Sequence, residues 1–418
     1  MDSYKYLLDL AIILLSTKVL SLVTKKFQMP QVVGALLAGL LLGPAVLGVI
    51  TETDFIDQVA ELGVIVLMFS AGLETDIKEL KKSGKASFII ALLGVLIPLA
   101  AGFGIAFIFN RPELIESTAT TSTFLQNMFI GVILTATSVS ISVETLKEMG
   151  KLNTRAGNAI LGAAIIDDIL GIVALTIITS LADSSVNVAV VLLKIVAFFV
   201  VAIVAGLIFY KLFKIWTDRY QRDMRRFVIV AFVFCLVLSY VAEEFFGVAD
   251  ITGSFIAGLI ISNTQKTKYI ASRFSTLSYM LLSPMFFASI GLKVALPEMT
   301  TAIIVFSVIL VIVACLTKVV GCGLGALLCR YTKSEAVQIG VGMISRGEVA
   351  LIVANKGNAV GLMSANILGP IIIMVVATTI VAPIFLKIVF SSKHKDTVAQ
   401  ESELVRGFEE LEKHHRDH

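Results

Sequence analysis

Two adjacent aspartates, Asp167 and Asp168, lie inside the apolar stretch LGAAIIDDILGIVAL that runs from residue 161 to residue 175. The surrounding segment is long enough to cross a bilayer, and inserting a carboxylate at its centre costs about 2.5–3.5 kcal/mol. In membrane proteins such a cost is offset by an ion, a proton or a buried cation. The pair therefore predicts a site that binds cations or protons, and the rest of the chain has to supply its partners.

The composition of the chain is typical of an integral membrane protein. Of its 418 residues 57% are hydrophobic and only 16% are charged, whereas soluble domains carry about 25% charged residues. The mean hydropathy is +0.93. The sequence contains no phosphate-binding loop, hydrolase motif or redox motif, and its four cysteines lack metal-ligand spacing. We therefore expect neither an enzyme nor a cofactor, and no nucleic-acid partner.

Thirteen segments are predicted to cross a hydrocarbon core of about 30 Å, which makes the expected fold class an all-α membrane protein. Their predicted limits are 6–24, 31–50, 57–74, 86–109, 126–147, 153–182, 187–212, 226–246, 250–263, 270–291, 300–329, 336–355 and 362–390. Together they form a predicted transmembrane domain over residues 1–390. Residues 391–418 are polar and charged, and we interpret them as a short tail.

Basic residues are distributed unequally between the two sides of this bundle. The loops after odd-numbered segments carry 20 Lys and Arg residues, whereas those after even-numbered segments carry Arg111, Lys293 and Lys356 only. The positive-inside rule then places the odd loops and the tail in the cytoplasm and the N-terminus outside. We call the side formed by the odd loops the basic end.

Two motifs recur at one constant offset. The sequence GALLAGL at residues 34–40 is echoed by GSFIAGL at residues 253–259, and at the same offset of 219 Gly72 corresponds to Gly291. Because an odd number of segments separates the copies, they would run in opposite directions through the membrane. Segments 1–6 and 8–13 are therefore predicted to be inverted repeats joined by segment 7, as in many secondary transporters.

The fifth and twelfth segments carry polar interruptions. The fifth contains LTATSVSIS at residues 134–142, and the twelfth contains ISRGEV at residues 344–349. Hydroxyl side chains can bond backbone groups that a broken helix frees, so both interruptions predict unwound turns. Two alternatives stay open: hydroxyls also serve helix packing, and Arg346 and Glu348 could neutralise each other as a structural pair.

Depth in the membrane brings several polar residues together. At 1.5 Å per residue, Asp167 and Lys318 each lie about 18 Å above the basic end, and Ser138 and Arg346 fall near the same level. The two aspartates are about 100° apart around their helix, so they face different ways. Lys318 is the best cationic partner for one of them. The other would be free to bind a cation or a proton in turn, which is the simplest chemistry of exchange.

Charged residues nearer the basic end are interpreted as structural. Lys18 is close enough to that end to extend towards water. Glu74, Asp76 and Lys78 are interpreted as a solvated helix end.

In combination, four motifs resemble those of the monovalent cation/proton antiporter superfamily. They are Thr-Ala-Thr-Ser at 135–138, Ile-Asp-Asp at 166–168, Leu-Thr-Lys at 316–318 and Arg-Gly-Glu at 346–348. The resemblance covers roughly residues 5–390 and is closer to the second branch, which includes bacterial sodium/proton antiporters of the NapA and GerN kind. It implies an NhaA-like fold with two crossed broken helices in a six-helix core, beside a dimerisation panel.

The resemblance also implies a role for each motif. Asp168 would bind sodium and protons alternately, and Asp167 would form a salt bridge with Lys318 that breaks and forms during the cycle. Thr137 and Ser138 would flank the ion at the first crossover. At the second crossover the resemblance places Arg346 and Glu348.

The implied function is electrogenic exchange of sodium for protons by an elevator-type movement, with lithium or potassium as alternative cations. A homodimer in the lipid of a bacterial plasma membrane, serving pH homeostasis, is expected. Two other functions stay open at this stage: a channel-like potassium efflux pathway, and a sodium-coupled symporter for an organic anion. Glutathione-gated potassium efflux systems share the fold, but they usually lack the aspartate pair and carry a nucleotide-binding domain.

Overall fold

The computed structural model describes residues 4–26, 29–111, 113–115, 119–182, 187–219, 224–294 and 300–391. Over these ranges the chain forms helices joined by turns and short extended connections. The predicted all-α fold class is confirmed.

The helices in chain order are α1 (Lys5–Lys26), α2 (Gln31–Leu42), α3 (Asp54–Glu74), α4 (Ile77–Phe109), α5 (Thr123–Thr135), α6 (Val139–Glu148), α7 (Arg155–Ala182), α8 (Val188–Arg219), α9 (Arg225–Tyr240), α10 (Asp250–Ile261), α11 (Thr267–Leu277), α12 (Ser283–Leu292), α13 (Thr301–Leu328), α14 (Lys333–Gly342), α15 (Glu348–Ala359) and α16 (Leu368–Ser391). A π-helical segment, Val241–Phe245, extends α9, and a second one, Ser278–Leu282, joins α11 to α12.

Each of the thirteen predicted segments contains helix. Within the described ranges, ten helical stretches are long and apolar enough to cross a membrane, and α2 and α10 are apolar but shorter. The predicted limit of the second segment is wrong, because α2 ends at Leu42. Gly43 and Pro44 follow, and the chain turns at Gly48 with a φ of +61°, a backbone conformation that glycine tolerates best. The count of thirteen crossings stays a prediction.

Hydroxyl side chains fix where several helices begin. Thr53, Ser122 and Thr300 each accept a hydrogen bond from the backbone N–H three residues later, at the starts of α3, α5 and α13. At α14, Thr332 and Glu335 form a reciprocal capping box. Such caps satisfy backbone donors that the first turn of a helix leaves open. They therefore set the register in which α5, α13 and α14 carry their polar residues inwards.

The helices pack in two groups. Helices α4–α7 and α13–α16 contact one another closely, with α4 against α5, α7 and α13, and we call them the core group. Helices α1–α3 and α8–α12 form the panel group, in which α3 packs on α10 and α2 on both α1 and α12. The principal contacts between the groups join α6 to α2 and α3, α16 to α2, and α7 to α8. The core group holds both broken helices and both aspartates.

Two close helix contacts in the panel group are related to each other by the sequence offset of 219. Gly39 of α2 lies against the backbone of Ala288 in α12, and Gly258 of α10 lies against the backbone of Phe69 in α3. Adding 219 converts Gly39 into Gly258 and Phe69 into Ala288. A Cβ atom at either glycine would overlap backbone atoms of the neighbouring helix. The recurring glycine motifs therefore correspond to equivalent close packing, which supports the repeat inferred from the sequence.

Helix ends that the sequence assigns to the basic end lie together. Arg155, at the start of α7, is 3.1 Å from a carboxylate oxygen of Glu335 in α14 and 4.1 Å from the ring centroid of Tyr331. Lys147 near the end of α6 is 2.9 Å from Glu74 at the end of α3. Glu74 is thus an ion-pair partner between two helices, and its interpretation as part of a solvated helix end is wrong. That interpretation failed because a sequence shows depth but not the neighbouring helix.

Candidate functional site

The two polar interruptions meet as a pair of crossed helix breaks. Helix α5 ends at Thr135 and α6 begins at Val139, and α14 ends at Gly342 while α15 begins at Glu348. Backbone and side chain join the breaks: the Ser138 N–H donates to the Ser345 carbonyl at 2.7 Å, and the Ser345 hydroxyl donates to the Ser138 carbonyl at 2.9 Å. Groups left open by each break are thus satisfied by the other, as buried backbone requires.

Further serine hydroxyls strengthen the crossing. Ser142 donates to the carbonyl of Gly342, the last residue of α14, at 2.5 Å, and its oxygen lies 3.0 Å from that of Ser345. Ser138 Oγ is 3.3 Å from Ser140 Oγ. Several hydroxyls of the LTATSVSIS stretch therefore hold the crossing together.

Arg346 provides the positive charge at the crossing. Its side chain is fully buried and donates to the carbonyls of Leu134 near the end of α5 (2.9 Å), of Ala314 in α13 (3.1 Å) and of Ile344. The end of a helix carries partial negative charge on carbonyls that lack helical partners. The guanidinium thus compensates carbonyls at the end of α5 and at its own break, and it also binds one carbonyl inside α13.

Two threonines of α16 hold the backbone of the second break. Thr378 Oγ1 accepts from the Arg346 N–H at 3.3 Å, and the Thr379 hydroxyl donates to the Arg346 carbonyl at 2.5 Å. Sequence reasoning missed these threonines, whereas Ser142 and Ser345 belong to the two polar interruptions that the sequence indicated. The signal present was a pair of adjacent hydroxyls in an otherwise apolar helix.

Asp167 and Lys318 form a buried ion pair beside the crossing. The Lys318 Nζ atom lies 2.9 and 3.1 Å from the two carboxylate oxygens of Asp167, and the two side chains are only 0% and 1% exposed. Helix α4 packs beside the pair at Gly94, where an added Cβ would overlap Cys322 Sγ and make ordinary van der Waals contact with Lys318 Nζ at 3.8 Å. Burying two charges is tolerable only with such close pairing.

Asp168 lies one residue further along α7 in a different environment. Its side chain is half-buried and makes no hydrogen bond or ion pair with any residue that the structure describes. Thr137, in the connection between α5 and α6, has a buried hydroxyl that likewise lacks a hydrogen-bond partner among the described residues. The adjacent aspartates are therefore chemically distinct: one is neutralised by lysine, and the other retains its oxygen ligands for an ion or a proton.

Of the remaining predicted site residues, Ser138 takes part in the crossing through its backbone. Glu348 begins α15, but its side chain lies outside the described part of the structure. Arrangements of hydroxyl, carbonyl and carboxylate oxygens suit hard cations. The carboxylate of Asp168 and the hydroxyl of Thr137 offer oxygens of this kind.

The class of protein follows from comparison with known families. Residues 11–392 match the family described as "Sodium/hydrogen exchanger, transmembrane", and the chain belongs to this family. The family consists of transporters and not of enzymes. The helices long and apolar enough to cross a membrane agree with this membership, and the chain is a multi-pass membrane protein.

Particular relatives support the same assignment. The chain is 36% identical over 393 residues to the Na(+)/H(+)-K(+) antiporter GerN of Bacillus cereus, covering 94% of this chain and 98% of GerN. It is 36% identical to the Na(+)/H(+) antiporter of Enterococcus hirae, covering 90% of this chain and 96% of the relative. The fold is similar to that of the sodium proton antiporter MjNhaP1 from Methanocaldococcus jannaschii, with a TM-score of 0.66 and 20% identity over 93% of this chain and 97% of that one. The resemblance inferred from the motifs is thereby confirmed.

Proposed function

We propose that the chain exchanges sodium for protons across the membrane and that Asp168 binds the two in turn. The observation that carries this proposal is the contrast between the aspartates: Asp167 is paired with Lys318, whereas Asp168 has no partner in the described ranges. A single carboxylate cannot hold a proton and coordinate a cation at once. Competition for that carboxylate therefore couples the two flows.

The charge balance of the site leads us to propose that the exchange is electrogenic. In the proton-loaded state Asp168 is protonated and Asp167 is neutralised by the Lys318 ammonium, so the site is neutral. When sodium binds, Asp168 releases its proton, Asp167 turns from Lys318 to the ion, and Lys318 releases a second proton. Two negative carboxylates and one sodium ion leave a net charge of −1. One sodium is thus exchanged for two protons, and one charge crosses per cycle.

The supporting groups have defined tasks in this scheme. Thr137 offers an unpaired buried hydroxyl to the ion, while Ser138 and Ser345 fix the crossing that presents it. Arg346 stabilises backbone carbonyls near the end of α5 and inside α13, and we assign it a supporting role at the crossing. Glu348 is assigned to the second crossover by its motif.

Movement is proposed to be elevator-like, with the core group sliding against the panel group. The separate packing of the two groups supports this, as does the exchange of contacts at Gly39 and Gly258 expected of inverted repeats. We assign the basic end to the cytoplasm by the positive-inside rule. Thirteen crossings, a homodimer formed through the panel group and a bacterial plasma membrane complete the proposal.

Potassium is the second candidate cation, because GerN, a relative over nearly the whole chain, is named for both sodium and potassium. Exchange with each cation can be followed in proteoliposomes with a trapped pH-sensitive dye, adding sodium, lithium or potassium in turn. We expect sodium-dependent proton movement from the wild type, and none from Asp168→Asn. The matched control is Asp54→Asn, an exposed aspartate in the first turn of α3, which should exchange like the wild type. Full exchange by Asp168→Asn would remove Asp168 from its assigned role.

A further inference from the structure

A cavity of about 490 Å³ opens between α1, α2, α6 and the α11–α12 region. Its lining includes Lys18, Gln31, Glu144, Lys147 and Tyr279. It lies at the basic end, on the boundary between the core group and the panel group. The ion site described above lies deeper, so the cavity belongs to the approach and not to that site.

Charged groups around the cavity are satisfied with one exception. Lys147 is paired with Glu74 at 2.9 Å, and Glu148 accepts from the backbone N–H of Gln31 at 2.9 and 3.0 Å. Lys18 donates to the hydroxyl of Tyr279, and its ammonium lies 4.3 Å from the ring centroid of that tyrosine.

The exception is Glu144. Its half-buried carboxyl lines the cavity and has no hydrogen bond or ion pair with the described residues. Lys147 acts on it electrostatically but forms its ion pair with Glu74, and Glu148 accepts from the Gln31 N–H. An unpaired carboxylate in a partly enclosed cavity attracts cations, since few competing donors are available to it.

The register of α6 links this carboxylate to the crossing. Ser140, Glu144 and Glu148 are spaced four residues apart, so they follow one another along one face of α6. Ser140 Oγ in turn is 3.3 Å from Ser138 Oγ. Glu144 lies six residues, or about 9 Å, from Ser138 along the helix axis. Thr137, just before α6, has a buried hydroxyl without a hydrogen-bond partner among the described residues.

We propose that Glu144 is a separate binding site for a monovalent cation, which holds the ion in the cavity before it passes to Asp168. This inference rests on the proposed exchange function. Glu144 lies about 9 Å from the crossing along the helix axis, which is too far for one ion to contact Glu144 and the crossing at once. Glu144 therefore raises the local cation concentration on one side of the membrane only, and it takes no part in the competition at Asp168.

The test compares the apparent KM for sodium supplied at the basic end with the KM for sodium supplied at the opposite face. Glu144→Gln should raise the apparent KM for sodium by about tenfold when sodium is supplied at the basic end, the order expected for removing a unit charge about 9 Å from the crossing. The KM for sodium supplied at the opposite face and the maximal rate should stay unchanged. Both are measured in vesicles of known and opposite orientation. Glu61→Gln, an exposed glutamate on α3 thirteen residues before Glu74, is the matched control and should leave the basic-end KM unchanged.

A second variant allows the charge at position 144 to be set independently of Glu144→Gln. Glu144→Cys treated with an anionic thiol reagent should recover a low KM at the basic end, whereas a cationic reagent should raise it. The identically treated wild type corrects for the native cysteines. An equal KM for both modified forms, or equal changes at both faces in Glu144→Gln, would overturn the proposal. A wild type that moves no protons in response to sodium would instead refute the exchange function itself.

Discussion

Replacing the members of the Asp167–Lys318 pair singly and together tests whether they act as one buried unit. The change Lys318→Gln leaves the Asp167 carboxylate without its only ion-pair partner among the described residues, in a place where 1% of its side chain is exposed. Breaking a buried pair in this way costs about 3–5 kcal/mol of folding free energy. Asp167→Asn should cost a similar amount, because it strands the ammonium.

The double variant is expected to be less destabilised than the sum of the single variants. Removing both charges strands neither, so the two effects should fall short of additivity by at least about 1 kcal/mol, within the range found for contacting residues. The free energy of unfolding is measured by denaturant titration of the purified protein in mixed micelles at one fixed pH. Additive losses would refute the reasoning.

A matched cycle guards against general weakening of the protein. Asp9→Asn changes a buried aspartate on α1, which belongs to the panel group. Combined with Lys318→Gln, it should give additive losses, because distant sites without shared partners usually add within about 0.5 kcal/mol. Coupling in this control as strong as in the Asp167 cycle would show that the assay does not isolate the pair.

Two further substitutions test the packing and the charge around the site. Gly94→Ala should destabilise the protein by about 1–3 kcal/mol and slow exchange, since its Cβ would overlap Cys322. Gly104→Ala is the control on the same helix and should do neither, because an added Cβ there has nothing within 4 Å. Equal losses of unfolding free energy in the two variants would contradict this expectation. Arg346→Gln should cost about 3 kcal/mol or more because it leaves buried carbonyls uncompensated. Arg346→Lys should recover only part of that loss, and full recovery would mean that the guanidinium fork is dispensable.

Much of this arrangement could be predicted from the sequence because hydropathy and spacing report depth. The long apolar segments, the two polar interruptions and the shared level of Asp167 and Lys318 all follow from counting residues along helices. The same counting could not separate the two aspartates. Their side chains differ by about 100° around the helix, and only the packing of α4, α7 and α13 decides which one meets lysine.

Other features depend on neighbours that a single sequence does not identify. The sequence offers Glu348 as one candidate partner of Arg346, but it does not indicate the hydrogen bonds that Arg346 donates to backbone carbonyls of α5, α13 and its own break. Glu74 had the appearance of a solvated helix end until α6 brought Lys147 to it. The early end of α2 was hidden because the residues after Gly43 are apolar although they are not helical. In each case the missing information is lateral contact and not depth.

We propose that sodium and protons compete for one carboxylate, Asp168. Equilibrium binding of radioactive sodium to the purified protein, measured over a series of pH values, tests it most directly. If Asp168 and Lys318 each release a proton when sodium binds, the apparent Kd for sodium varies with the square of the proton concentration at pH values where both groups are protonated in the sodium-free protein. In that range the Kd should rise about a hundredfold for each unit by which the pH is lowered. Release of one proton would give a tenfold rise and refute the two-proton balance. A Kd that does not change with pH would contradict competition altogether.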